Sequence, residues 1–130
     1  MILFDTDVCI EILRGNKKII KRRMEYPGEI SIGFMTVAEL FYGAENSRNP
    51  IDNRILVEKF IITLGIVHSD IGILQRFGKI KSDLKKKNDL LPDADVFIAA
   101  TALEKSEALI TGNFRHFERI SGLKLENWIR

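Results

Sequence analysis

The chain predicts an α/β fold of three layers, with helices on both faces of a central, mainly parallel sheet of about four to five short strands. Three observations carry that expectation. Short runs dominated by apolar residues, "MILF", "EISIG", "GIVHS" and "ALIT", recur along the chain. They lack the strict apolar–polar alternation of a sheet wetted on one side, which argues for cover on both faces. Between them lie longer stretches whose apolar residues repeat at helical spacing. No internal repeat, low-complexity tract or linker interrupts the 130 residues, so residues 1–130 read as one domain with a core of its own.

"MILF" reads as a buried first strand, and "DVCIEILRG" as a helix that closes at Gly15. In the basic stretch "NKKIIKRRMEY", Lys17 and Lys21, like Lys18 and Arg22, stand four residues apart, so a helix there presents a cationic face. "EISIG" is the second strand and "TVAELFYGAE" the next helix. "NPIDNRILVEKFIITL" follows as another helix, with Asn49 as its cap and Pro50 in its first turn. After the strand "GIVHS", Ile73, Phe77, Ile80 and Leu84 mark one face of an amphipathic helix. "DADVFIAATALEKS" is different in kind: from Val96 to Leu103 only Thr101 is polar, so this helix is buried nearly all round. The strand "ALIT", a short helical turn around "NFRHF" and a last strand "LKLEN" complete the order, with Trp128 as a packing anchor.

Composition narrows the class. Hydrophobic content of 45% and charged content of 29% are those of a soluble globular protein. No apolar run approaches a membrane span, and "MILFDTDVCI" lacks a basic secretory leader, so the expected compartment is the cytoplasm. The lone Cys9 forms no internal disulfide and reads as a small core residue. With His68 and His116 the only imidazoles, no zinc-site spacing exists. The net charge of +2 says little, but the clustering of Lys17, Lys18, Lys21 and Arg22 suits a phosphate backbone. The other reading of that cluster is a solvated lysine-rich surface.

In parallel sheets of this kind, sites lie outside the carboxyl ends of the strands. Asp5 directly follows "MILF". Glu39 admits two readings. Thr36 and Glu39 have the spacing of a capping box. Against this, Val37, Leu40, Phe41 and Ala44 form one packed face, and Glu39 projects from the other beside Met35 and Tyr42. A glutamate on a helix covered on both sides needs a partner. Asp93 and Asp95 open the buried helix, where acids suit the free N–H groups and the dipole. Two residues apart, they do not share a face, so one of them caps or assists while the other points into a site. Thr111 to Asn113 lie just beyond another strand. Clustered oxygen donors without Cys or His indicate a hard divalent cation, magnesium or manganese, and such an ion beside a cationic surface suits attack on a phosphodiester.

"MILFDTDVCIEILRG", "TVAELFYGAENS", "DADVFIAATA" and "LITGNFRHFERISGLKLENW" resemble, in order and over essentially the whole chain, the successive motifs of PIN-domain ribonucleases, and among them the VapC-type toxins. The resemblance implies a PIN-like fold and a magnesium-dependent endoribonuclease, with manganese the alternative ion. It further implies an RNA substrate, a homodimer, and inhibition by a small VapB-like antitoxin. Position by position, Asp5 matches the first acid, Glu39 the second, and Asp95 rather than Asp93 the third. Asn113 matches the fourth, where many members carry Asp, and a neutral amide there weakens any second metal site. By this resemblance Asp5 and Asp95 hold the principal cation and Glu39 completes the site. Thr6, Thr111 and Asp93 support it, and Lys17, Lys18, Lys21, Arg22 and Arg115 are candidates for the RNA backbone. His116 reads as a surface or helix-end histidine. Two alternatives stand beside this: a PIN fold that binds without cleaving, and an aspartyl-nucleophile phosphatase. "FDTD" after a strand suits the phosphatase, although its usual Gly-Thr is here Val8-Cys9.

Overall fold

The computed structural model describes every residue from Met1 to Arg130. Its elements run β1 (Ile2–Phe4), α1 (Thr6–Leu13), α2 (Lys17–Glu25), β2 (Ile30–Gly33), α3 (Phe34–Glu45), α4 (Pro50–Ile61), β3 (Gly65–Val67), α5 (Ile71–Lys86), α6 (Asp93–Lys105), β4 (Leu109–Ile110), α7 (Phe114–Phe117) and β5 (Leu125–Glu126). The five strands form one sheet in the order β3-β2-β1-β4-β5. Every pairing is parallel, so the sheet expected to be mainly parallel is wholly so.

Side chains alternate across a strand, and the three residues of β1 show it. Ile2 and Phe4 face a core shared with Val8, Cys9, Ile19, Leu40 and Val57 from the first four helices. Leu3 faces the opposite core, with Ile73, Ile80 and Leu84 of α5 and Val96 and Ile98 of α6. β4 repeats the division: Leu109 joins Leu3, and Ile110 joins Phe4. Trp128 packs edge-on against Phe4, with ring centroids 5.4 Å apart, and so anchors the C-terminal segment.

Local signals explain most element ends. Asn16 Oδ1 accepts from the N–H groups of Lys18 and Ile19 at the start of α2, and Asp70 Oδ1 accepts from Ile73 N–H at the start of α5. Gly15 takes φ of 84° and ends α1 in the left-handed conformation that glycine accepts without strain. Two expectations need correction. α3 begins at Phe34 with Gly33 before it, not at Thr36, because the backbone turns directly out of β2 into the helix. Asn49 occupies the position before α4, but its side chain makes no capping bond; Pro50, which needs no N–H partner, starts that helix instead.

The strand order places the site. From β1 the chain builds outward to β2 and β3 on one side, and β4 and β5 fill the other, so the connections diverge at the β1–β4 junction. Phe4 is in register with Ile32 and with Ile110. The residues leaving β1 and β4, Asp5 and Thr111, therefore emerge side by side. No helix is long and apolar enough to cross a membrane.

α6 is the rigid wall of this junction, and Ile98 at 1% exposure lies in its packed core. Ile98→Ala is expected to lower unfolding stability by about 2–5 kcal/mol, read from urea denaturation; a loss below that range would show that the surrounding core collapses around the deletion.

Candidate active site

Asp5 is the centre of the crevice. Its backbone N–H donates to Ile110 O at 2.9 Å, continuing the β1–β4 ladder one residue past the strand. The residue is 5% exposed, and both side-chain oxygens are engaged. Oδ1 accepts from Thr6 N–H at 2.7 Å, and Oδ2 accepts from the Thr111 hydroxyl at 2.7 Å. Thr111 Oγ1 also accepts the Asn113 N–H at 2.9 Å, so one hydroxyl aligns both the acid and the turn after β4. Burial, then the charge of Asp7, push the Asp5 carboxyl up to about 7 against the lowering effect of its two hydrogen bonds; Asp95 adds to the rise.

Glu39 reaches this centre through Thr6. Thr6 Oγ1 donates to Glu39 Oε1 at 2.7 Å and stands 3.1 Å from Thr36 Oγ1. The capping-box reading fails, since Thr36 lies inside α3 and that helix has no side-chain cap. The argument from a helix covered on both sides also fails in part, because Tyr42 is exposed. The partner that Glu39 needed comes from the first turn of α1.

The two acids of α6 separate as the helix geometry requires. Asp95 is half-buried, and its Oδ2 lies 2.7 Å from His116 Nδ1. Asp93 is exposed and pairs with Lys81 Nζ at 2.9 Å. Neither acid caps the helix, whose preceding residue is Pro92 and which lacks any side-chain capping bond. Asp93, expected to cap or support the site, makes no capping bond, and its one ion pair is with Lys81. Asn113 does reach the crevice: its Nδ2 lies 2.9 Å from the same His116 Nδ1.

Two residues of the site escaped the sequence reading. Asp7 is half-buried, with Oδ1 accepting from Val8 N–H and Oδ2 from Gly112 N–H, each at 2.8 Å. It ties α1 to the turn after β4, and burial raises its carboxyl despite those two bonds. The signal is the second acid of "FDTD", to which the sequence gives a role only in the phosphatase alternative. His116, expected to be a surface or helix-end histidine, does lie in the last turn of α7 with its side chain 38% exposed, and it also stands between Asp95 and Asn113. Its position three residues after Asn113, on a helical turn, was the available clue.

Of the cationic candidates, Lys17 and Lys18 are exposed, and Lys21 faces Glu25 at 3.9 Å. The Arg22 guanidinium lies 4.8 Å from the Trp128 ring centroid and 4.0 Å from Glu126. It belongs to the packing of the C-terminal segment. None of the four hydrogen-bonds to a site residue. Arg115 does border the crevice, in a polar cavity of about 310 Å³ lined also by Asn113, Asn127 and Arg130. Cys9 is fully buried, and burial pushes its thiol above the ordinary range, as suits a core residue.

No three acidic or imidazole side chains already surround one point. The charges of Asp7 and Asp95 nonetheless act on Asp5 and disfavour its ionised form. A buried carboxylate under that repulsion is relieved by a cation, and donors that are oxygen save for one imidazole fit a divalent ion. The crevice therefore suits a metal on this chain's own chemistry.

Residues 2–123 match the family model described as the PIN domain. The chain is 34% identical over 128 residues to the "Ribonuclease VapC2" of Haemophilus influenzae (strain Rd), covering 98% of this chain and 97% of that protein. It is 32% identical over 127 residues to the "tRNA(fMet)-specific endonuclease VapC" of Salmonella typhimurium, covering 97% and 96%. Among solved structures, a chain of the DNA-bound VapBC from Salmonella typhimurium superposes with a TM-score of 0.92 at 32% identity, over 98% of this chain and 97% of that one. A chain of VapBC2 from Rickettsia felis, bound to a promoter DNA fragment, gives 0.89 at 27% identity, over 98% and 99%.

The raised Asp5 carboxyl sets a pH dependence. Its ordinary value is 3.8 and its folded value about 7, so the folded state holds this proton more tightly than the unfolded one. The associated stability is complete below about pH 4 and is lost as pH rises through about 7. In protein stripped of divalent cations, the thermal midpoint should fall across that window, and Asp5→Asn should flatten the fall. Scanning calorimetry at a series of pH values reads the difference; equal slopes in the two proteins would remove Asp5 as its source.

Proposed function

The chain belongs to the PIN-domain family, and from that premise we propose that it is a metal-dependent endoribonuclease serving as the toxin of a toxin–antitoxin pair. The observation that carries the reading is Asp5, buried at the end of the central strand, with both oxygens fixed and the charge of Asp95 acting on it. Asp5 and Asp95 would hold the cation, with Glu39 brought alongside by Thr6. Magnesium and manganese are the candidate ions. A divalent cation in such a site supplies an activated water and neutralises charge on the leaving oxygen.

The protein's own share is orientation. Thr111 and Thr6 keep Asp5 from rotating, and Asp7 locks the turn that carries Asn113 against α1. Arg115 and Arg130 border the adjoining polar cavity, where they would hold backbone phosphates either side of the cut. A neutral Asn113 in place of a fourth acid is the feature that would suit a fold that binds without cleaving. The three acids remain in place around it, and that supports catalysis.

VapBC names a toxin with its antitoxin in the similar structures, and a small VapB-like antitoxin is accordingly the partner we infer. An apolar groove of about 350 Å³, with Ile10, Leu13, Leu56 and Val57 in its walls, offers such a partner surface to bury. A homodimer and a cytoplasmic location complete the proposal.

Purified protein incubated with structured RNA and magnesium should cleave it, and EDTA should stop the reaction. Asp5→Asn and Asp95→Asn should each lower the rate by about a hundredfold or more. Asp93→Asn, which breaks only an exposed pair with Lys81, should stay near the parent rate. Cleavage that survives EDTA and both site substitutions would overturn the assignment.

A further inference from the structure

Resting on the reading that this crevice holds a divalent cation, we propose that His116 is a ligand of that cation through Nδ1, and that its imidazole biases the site toward manganese over magnesium. The starting point is a conflict at one atom. His116 Nδ1 lies 2.7 Å from Asp95 Oδ2 and 2.9 Å from Asn113 Nδ2. A ring nitrogen carries either a hydrogen or a lone pair in its plane, not both. As a donor to Asp95 it offers nothing to the Asn113 amine. As an acceptor from that amine it sets a lone pair against a carboxylate oxygen.

Turning the Asn113 amide over, which exchanges its nitrogen and oxygen at almost no geometric cost, removes the clash of donors. With the ring hydrogen on Nε2, Nδ1 also presents a lone pair, and three electron-rich atoms then meet: a carboxylate oxygen, an imidazole nitrogen and an amide oxygen. A single cation satisfies all three. The spacings agree, because neighbouring ligands of an octahedral ion with bonds of about 2.0–2.1 Å lie about 2.9 Å apart.

The ring is placed for this by the fold. α7 follows β4 by a short turn, and Phe117, next in sequence, is fully buried and fixes the helix against the α5–α6 core. His116 is thereby turned toward the first turn of α6, while its side chain keeps 38% exposure at the rim. Asp95 is its acidic contact, and Asn113 is its other polar contact.

Ligand chemistry then sets the preference. Magnesium takes oxygen donors and gives up its waters reluctantly, whereas imidazole suits transition-metal ions. Carboxylates joined by one imidazole form a set that a transition ion such as manganese accepts more readily than magnesium does.

Cation-free protein titrated with manganese chloride alone tests the inference by calorimetry and by pulsed electron paramagnetic resonance, which detects a coordinated ¹⁴N nucleus. The parent protein should show imidazole nitrogen coupling and should bind manganese more tightly than magnesium. His116→Gln should abolish the coupling and weaken manganese binding by about 10–100-fold. His116→Glu should keep binding without nitrogen coupling and narrow the preference for manganese. Both variants sit at the exposed rim, and unchanged circular dichroism checks that they fold. Manganese binding that depends on Asp95 but shows no nitrogen coupling would overturn the role of His116 and leave the metal site standing. Coupling that persists in His116→Gln would assign it to His68 and overturn the role equally. Failure of the parent protein to bind manganese would overturn both this inference and the reading it rests on.

Discussion

Asp5 is a carboxylate placed where the core has least tolerance for one. It ends the central strand of the sheet, one residue beyond Phe4, which has no solvent exposure. Removing such a charge from water costs several kcal/mol unless neighbouring groups offset it. Two hydrogen bonds do part of this, from Thr6 N–H and from the Thr111 hydroxyl. The presence of Asp7 and Asp95 works the other way. Around this unresolved charge the rest of the site is arranged: Thr111 at the end of β4, Thr6 opening α1, and Glu39 reaching in from α3 to the Thr6 hydroxyl.

The strand order makes that arrangement possible without long loops. β1 and β4 are adjacent and parallel, so the chain leaves both at the same edge. Helices α1 and α7 start there, and the first turn of α6 delivers Asp95 against His116 of α7. α6 holds its ligand still because almost nothing on it can move. Its core residues are buried on the inner face, Thr101 Oγ1 returns to Phe97 O at 2.8 Å, and Phe97 stacks on Phe77 with centroids 4.0 Å apart. A helix this apolar is costly to expose, which is what keeps a charged side chain at its mouth in one place.

The fold was legible because strand and helix periods in this chain agree with its tertiary layers. Leu3 and Ile110 are apolar whichever face they meet, and a parallel sheet covered on both sides asks for nothing else. Asp5, Asp95 and Thr111 were legible from their positions after strands or at a helix mouth. What failed was any judgement that depended on which partner a polar side chain finds. Glu39 was weighed against Thr36 of its own helix, yet its partner is Thr6, thirty-three residues away. Asp93 was credited with a cap, but Lys81 from α5 holds it. Arg22 keeps the exposure that its spacing predicts, but its contact with Trp128 from the far end of the chain was not in that spacing. Asp7 and His116 were passed over because their partners, Gly112 and Asp95, lie in other elements. Local spacing says which side chains share a face; it does not contain the long-range contact that gives a polar group its role.

The same crevice links stability to chemistry. The acids that make it fit for a cation also make the cation-free fold less stable as they ionise, since each negative charge is buried near another. An ion that binds the folded chain and not the unfolded one stabilises the fold by mass action, in proportion to how far its concentration exceeds its dissociation constant. The residues cannot be optimised for the empty state without losing the reason for their placement. Thr111 expresses the compromise in a single hydroxyl. It donates to Asp5 and so favours the ionised carboxylate, and it accepts from Asn113 N–H, fixing the turn that carries His116. Replacing it with an apolar residue of the same shape would leave the Asn113 N–H without its acceptor and Asp5 with one hydrogen bond fewer. The fold and the charge at its centre are thus held by the same atom.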